Sequence, residues 1–131
     1  MNSMSTRIHT WLRDEIVRFG KTQRAGPSEA LRRVAEEWWA LQHFPAIEFR
    51  EGVTGRRAAL RAGPDVWEVV MVWKDYEPDR ERLRAHFGDV ISPDQLDQAL
   101  AYYERFPEEI EERLEENRRV AAQLEARLGA G

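Results

Sequence analysis

The sequence of 131 residues contains no cysteine, so disulfide scaffolds, cysteine-ligated zinc sites and thiol catalysis are excluded. It also lacks an apolar run near the roughly 20 residues that a membrane-spanning helix needs. The first residues do not form the apolar stretch of a secretory signal. We therefore expect a cytoplasmic protein that has no membrane association.

Patterns typical of catalysis and of cofactor binding are missing as well. The three histidines, His9, His43 and His86, lack the spacing of a local metal site. Acidic residues alternate from Asp75 onward, but Arg80 stands where a calcium loop requires glycine. The sequence has no glycine-rich phosphate loop, nucleophile elbow or Ser-His pairing. We expect no enzyme, no metal and no cofactor.

Charge is divided unevenly along the chain. Residues 1–43 carry seven Lys and Arg against five Asp and Glu, a net charge of +2. Residues 75–131 carry eight against fifteen, a net charge of −7. A basic front half suits contact with nucleic acid, whereas an acidic rear half repels phosphate and suits a basic protein or solvent.

The front half begins with a strand pattern and continues with two helical patterns. Residues 6–12 alternate between two faces. One face holds Ile8, Thr10 and Leu12, and the other holds Arg7, His9 and Trp11. A short helix is then predicted to end at Gly20 or Gly26, and Ser28 is the predicted N-cap of the next helix.

The predicted strand has no partner nearby in the sequence, and a single strand is not stable alone. The same strand of a second copy is the simplest partner, and a two-stranded ribbon fits the DNA major groove. We expect a homodimer in which Arg7, His9 and Trp11 face the bases. The alternative is a generic helical subdomain that carries an edge strand.

Residues 4–43 resemble the ribbon-helix-helix family of small bacterial DNA-binding proteins. The resemblance lies in Arg7-Ile8-His9-Thr10-Trp11-Leu12, Leu12-Arg13-Asp14-Glu15-Ile16 and Gly26-Pro27-Ser28-Glu29-Ala30-Leu31-Arg32. It implies that the ribbon reads the groove and that the start of the second helix, at Ser28, holds a phosphate. A helix N-terminus favours an anion on physical grounds as well.

The rear half begins with a predicted hairpin and continues with helices. Residues 46–50 and 57–60 form the predicted strands, and Gly63-Pro64 is predicted to start the next helix. Four apolar stripes follow at helical spacing, and residues 79–104 have the outline of a helix-turn-helix. Members of the four stripes are Val66, Val69, Val70 and Trp73; Leu83 and Phe87; Leu96, Ala99, Leu100 and Tyr103; and Ile110, Leu114, Ala121, Leu124 and Leu128.

Residues 46–117 resemble a bacterial family of unknown function, numbered 433, that is found in antitoxins of the VapB type. The resemblance lies in the segments 52–57, 65–70, 92–96, 99–103 and 107–110. It implies helices like a helix-turn-helix and a partner that is a ribonuclease toxin of PIN-like fold.

The acidic C-terminal region suits such a partner, because an RNA-binding nuclease exposes a basic surface. The predicted partner-binding residues are Glu108, Ile110, Leu114, Glu115 and Leu124. The alternative is a solvated helix whose apolar stripe packs within its own chain.

The sequence thus predicts a mainly α protein with short β structure and two units. Residues 1–44 are predicted as a ribbon-helix-helix DNA-binding and dimerisation unit, and residues 45–131 as a hairpin plus helical, antitoxin-like domain. The predicted function is an antitoxin that represses its own operon and neutralises a PIN-like toxin. The alternatives are a stand-alone transcriptional regulator and a dimeric interaction module that binds no DNA.

Overall fold

The structure is a computed structural model that describes residues 2–52, 55–76 and 79–130, with residue 130 described by its backbone alone. Within these ranges the chain is mainly helical with one short antiparallel sheet, which confirms the predicted class. The elements are α1 (Thr10–Thr22), α2 (Pro27–His43), β1 (Ile47–Gly52), β2 (Gly55–Leu60), α3 (Val66–Tyr76), α4 (Arg80–Phe87), α5 (Pro93–Arg105) and α6 (Pro107–Ala130).

The core lies between the hairpin and the helices α3, α5 and α6. Ala40 of α2 reaches into the same buried cluster, so the second helix of the front half shares this core. The fully buried side chains include Ile47, Leu60, Val66, Val69, Val70, Leu83, Leu96, Tyr102 and Ile110. Each large aliphatic side chain that leaves water contributes about 1.5–3 kcal/mol.

The predicted hairpin is confirmed, with β1 and β2 in antiparallel register from Ile47↔Leu60 to Gly52↔Gly55. Gly55 has a φ of 99°, which glycine adopts without the steric cost that a side chain would add. Val53 and Thr54, which belong to the predicted turn, lie outside the described residues.

Helix α3 begins two residues later than predicted, at Val66 rather than at Pro64. The segment before it still belongs to the edge of the sheet, because Leu60 N–H donates to the Pro64 carbonyl at 3.0 Å and Asp65 bridges Ala59. The buried Asp65 carboxylate accepts hydrogen bonds from Arg57 Nε and from Trp67 Nε1. This carboxylate fixes the entry into α3.

The predicted start of α5 is confirmed at Ser92-Pro93. Ser92 Oγ accepts from the Gln95 backbone N–H at 3.1 Å, and Gln95 Oε1 accepts from the Ser92 backbone N–H at 2.7 Å. This reciprocal pair is a capping box, which satisfies two of the free donors at a helix N-terminus.

The strand predicted over residues 6–12 is wrong at its C-terminal end, because Thr10, Trp11 and Leu12 form the first turn of α1. Arg13 N–H donates to the His9 carbonyl at 3.0 Å, so the helical ladder has already begun there. Residues 2–9 form neither helix nor strand in the single chain.

Both predicted ends of α1, Gly20 and Gly26, are also wrong, since the helix ends between them at Thr22. Arg24 then adopts a φ of 56°, and Ala25 N–H donates to the Gly20 carbonyl at 2.8 Å. This is the hydrogen-bond pattern of a Schellman motif, in which the left-handed position is usually glycine.

Helix α2 begins at Pro27 with Gly26 as the N-cap, so Ser28 is its second residue and not its cap. The fixed φ of proline suits the first helical position, and the Gly26 carbonyl accepts from Ala30 N–H at 2.9 Å.

The buried Gly20 is predicted to tolerate no side chain. A Cβ there would lie 2.6 Å from the Ala25 carbonyl oxygen and 3.0 Å from Ala30 Cβ. We expect Gly20→Ala to lower the free energy of unfolding by about 1–2 kcal/mol, because overpacking exceeds the gain in helix propensity. Urea unfolding measures this change.

Gly129→Ala is the matched control, since no heavy atom lies within 4 Å of its Cβ position. We expect that variant to leave the unfolding midpoint unchanged or slightly raised. Equal midpoints for Gly20→Ala and the wild type would show that α1 and α2 do not pack as described.

Candidate nucleic-acid and partner interfaces

Helix α2 leaves one apolar face uncovered in the single chain. Leu31, Val34, Trp38 and Leu41 are all exposed, Trp38 to 63%. Their spacing of three or four residues places them on one side of the helix, and we call this set the α2 stripe. An exposed apolar stripe of this kind is a candidate interaction site.

The predicted base-contacting residues lie around the start of α1. Arg7 and His9 are exposed in the segment before the helix, and Trp11 in its first turn is 64% exposed. The His9 and Trp11 rings stack with centroids 6.1 Å apart. These three side chains therefore share one end of α1, although Trp11 is on a helix and not on a strand.

A second group of cations, which the sequence reasoning did not single out, lies at the other end of α1. Lys21 is in the last turn of α1 and Arg24 follows it, just before α2 begins. Within the part of the chain that the structure describes, Arg7, Lys21 and Arg24 form no salt bridge, whereas Arg18 and Arg32 do. These cations could have been found from the sequence, because they lie at the connection between two predicted helices.

Ser28, the predicted phosphate contact, is exposed in the first turn of α2. No side chain caps this helix, so the backbone N–H groups of its first turn remain available to an anion. Lys21 and Arg24 precede this turn directly in the chain and add positive charge to it.

The two cationic groups are separated by the length of α1, which is 13 residues or about 20 Å of helix. Arg7 and His9 precede the helix, whereas Arg24 and Ser28 follow it. A span of about 20 Å exceeds half of the 34–36 Å turn of a DNA duplex. The arrangement fits a groove contact at one end of α1 and a backbone contact at the other.

Two successive helices, α4 and α5, lie where the helix-turn-helix outline is predicted, and the start of α5 is acidic. Asp97 accepts from Arg80 at 2.9 Å and lies 3.8 Å from Arg84, so these cations are already paired. Leu96, Ala99, Leu100 and Tyr102 bury one side of α5 in the core. This helix therefore offers phosphate a weak contact at best.

Arg56 of β2 joins the α1–α2 pair to the rest of the chain. Its Nε donates to Glu37 Oε1 at 2.6 Å, and its backbone N–H donates to Gln23 Oε1 at 2.9 Å. Its guanidinium also lies 6.0 Å from the Phe19 ring centroid. One residue of the hairpin thus contacts both helices of the front half.

Acidic side chains of α2 and α6 lie close enough to influence each other, namely Glu36 and Glu37 of α2 and Glu109 of α6. Tyr102 donates to Glu109 Oε2 at 2.6 Å. Burial raises the pKa of Glu109 above its ordinary value of 4.5, and the Glu36 carboxylate raises it further. Burial likewise raises the pKa of Tyr102. Arg113 opposes the shift of the Glu109 pKa and donates to the Arg56 carbonyl at 2.9 Å.

The predicted partner-binding residues of α6 do not form one surface. Ile110 and Leu114 are buried in the chain's own core, at 2% and 5% exposure. Glu108, Glu115 and Leu124 are exposed. Nine residues, roughly two and a half helical turns, separate Glu115 from Leu124, so these two side chains point in opposite directions.

The described residues contain no group of three or more acidic or histidine side chains that is placed to hold a metal ion. None of the described helices combines the length and the apolar character that a membrane crossing requires. Comparison of the chain with protein-family models, with curated proteins and with solved structures finds no match.

The raised pKa of Glu109 predicts a specific dependence of stability on pH. Between 4.5 and its raised pKa, the folded state holds the proton more tightly than the unfolded state. The free energy of unfolding therefore falls as the pH rises through this window. We expect Glu109→Gln to remove that fall, because the amide oxygen still accepts from Tyr102 and carries no charge.

Urea unfolding at a series of pH values from about 4 to 8 tests this prediction. Glu108→Gln, an exposed neighbour on α6, is the control and should follow the wild type. If the free energy of unfolding changed with pH in the same way for Glu109→Gln and the wild type, the raised pKa of Glu109 would be contradicted.

Proposed function

We propose that this protein is a dimeric, sequence-specific DNA-binding antitoxin that represses its own operon and neutralises a PIN-like ribonuclease toxin. The observation that carries the proposal is that the front of the chain leaves two features unpartnered. These features are the α2 stripe, which is exposed, and the segment 2–9, which forms neither helix nor strand.

A second copy of the chain satisfies both features at once. Two segments around Arg7 and His9 pair as a ribbon about a two-fold axis, and the two α2 stripes cover each other. Helix formation from Thr10 onward limits this ribbon to the residues before α1. The dimer buries the four apolar side chains of each stripe, whose exposure is costly in a monomer.

The charges of the front half support DNA as the ligand of this dimer. Arg7 and His9 supply donors for base edges, and Lys21, Arg24 and the free amides near Ser28 supply phosphate contacts. These cations form no salt bridge among the described residues, so DNA binding breaks no existing ion pair.

The antitoxin role rests on the acidic surface of α6. Glu108, Glu112 and Glu115 are exposed together on the solvent side of the helix. Such a surface attracts the basic RNA-binding face of a nuclease and raises the rate of association. A stand-alone regulator needs no such surface.

Fluorescence anisotropy with a duplex from the region upstream of the gene tests DNA binding. We expect tighter binding to this duplex than to a scrambled one, with affinity falling between about 50 and about 200 mM salt. Equal or absent binding to both duplexes would favour an interaction module. Copurification with the product of a neighbouring gene then separates an antitoxin from a stand-alone regulator.

We expect Arg7→Ala with His9→Ala to abolish the preference for the native duplex while the dimer persists. These side chains carry the proposed base contacts and lie outside the helices. Arg84→Ala with His86→Ala on α4 is the matched control, since it removes the same residue types elsewhere. Loss of the dimer in the first variant would show that Arg7 and His9 are structural.

Lys21→Ala with Arg24→Gly is expected to weaken binding to native and scrambled duplexes by the same factor. Glycine at position 24 preserves the turn, because the φ there is 56°. The slope of log K against log salt should become less steep by about 0.9 for each phosphate that the variant no longer neutralises. An unchanged slope would show that Lys21 and Arg24 do not contact the DNA phosphates.

A further inference from the structure

The C-terminal part of α6 extends beyond the rest of the described residues, which we call the body. Residues 118–129 are all exposed, and we call this segment the overhang. At 1.5 Å per residue it is about 18 Å long. Just before the overhang, Asn117 Nδ2 of α6 donates to Met71 Sδ of α3 at 3.7 Å.

The overhang carries an apolar stripe that continues the buried stripe of α6. Ile110, Leu114, Asn117, Ala121, Leu124 and Leu128 follow a heptad spacing of four and three residues. The first two are buried in the body, whereas Leu124 and Leu128 are exposed to 52% and 82%. Met71, exposed to 38%, extends the apolar surface where the overhang leaves the body.

We propose that the overhangs of two copies pair antiparallel as a short coiled coil. In this register Ala121 lies opposite Leu124 of the second copy, and Leu128 lies opposite Asn117 and beside Met71. The exposed apolar atoms of both chains are then covered by each other.

The charges beside the stripe match this arrangement. Arg118 and Glu125 lie seven residues apart, roughly two helical turns, and therefore flank the stripe on the same side. Antiparallel pairing places Arg118 of each chain beside Glu125 of the other, which gives two ion pairs. Flanking charges of this kind set the orientation of coiled-coil helices.

A parallel pairing does not fit the same features. In a parallel pair, each residue lies beside the residue of the same number in the other chain. Arg118 then has no acidic residue of the other chain beside it. Parallel pairing also brings the two bodies to the same end of the pair, where α3 and α5 already occupy the sides of α6. The antiparallel arrangement keeps the bodies at opposite ends.

The overhang shares no residue with the α2 stripe and segment 2–9, which we call the front interface, so separate variants test the two interfaces. A dimer formed through the α2 stripe is joined to a second dimer through its overhangs. Twelve residues per chain bury less than the standard interface of about 1,600 Å². The association is therefore reversible and depends on concentration.

Sedimentation equilibrium over a range of concentrations tests the proposal on the full chain. We expect Leu124→Glu to lower the mass at high concentration to that of the assembly held by the front interface alone, with an unchanged circular dichroism spectrum of the body. Arg118→Glu and Glu125→Arg each weaken association, because each places like charges opposite one another. The double exchange, Arg118→Glu with Glu125→Arg, restores it.

Arg119→Glu is the matched control, since Arg119 is on the outer side of the overhang. Both arginines also pair with an acidic residue of their own chain, Arg118 with Glu115 and Arg119 with Glu116, so the two variants lose the same kind of contact there. It should associate as the wild type does. Equal masses for the wild type and Leu124→Glu would overturn the proposal and leave the overhang to a different protein. Failure of the double exchange to restore association would overturn the antiparallel register.

The same experiment distinguishes this inference from the proposed function. If the front dimer fails and the overhangs pair, the wild type is a dimer and Leu124→Glu is a monomer. If the overhangs do not pair, both proteins have the mass that the front interface dictates.

Discussion

Two neighbouring arginines of β2 connect the hairpin to the helices on either side of it in the sequence. Successive side chains of a strand point to opposite faces, so Arg56 and Arg57 reach different partners. Arg56 binds Glu37 of α2, and Arg57 binds the buried Asp65 ahead of α3. The hairpin therefore couples the position of the front helices to the core, in addition to the direct contact that Ala40 of α2 makes with it.

These ion pairs involve side chains that are partly buried. Removing one partner lowers the free energy of unfolding, because the other charge is left buried without compensation. Asp65 is 5% exposed and is served by donors from β2 and from the first turn of α3. Glu109 accepts a hydrogen bond from Tyr102, and burial and the nearby Glu36 carboxylate raise its pKa. Breaking the contacts of either carboxylate is therefore expected to lower the free energy of unfolding.

Local patterns in the sequence were sufficient for most of the helices and for the hairpin. Ser92-Pro93 marked the start of α5, and the stripe of Val66, Val69 and Val70 marked α3. The start of α1 was missed because alternation over seven residues fits the first turn of a helix as well as a strand. Features that depend on contacts distant in sequence were missed too, since a heptad stripe does not show that the body ends near Asn117. The roles of Arg56 and Glu109 likewise depend on tertiary packing.

Arg24 occupies a backbone conformation that glycine adopts far more easily. Glycine there would have made a more stable turn, so the chain forgoes stability to keep a side chain at this point. Residues in sparsely populated backbone regions cluster where function requires them. A variant chosen only for a higher melting temperature is therefore expected to carry glycine at position 24, or at position 62, where Ala62 has a φ of 54°.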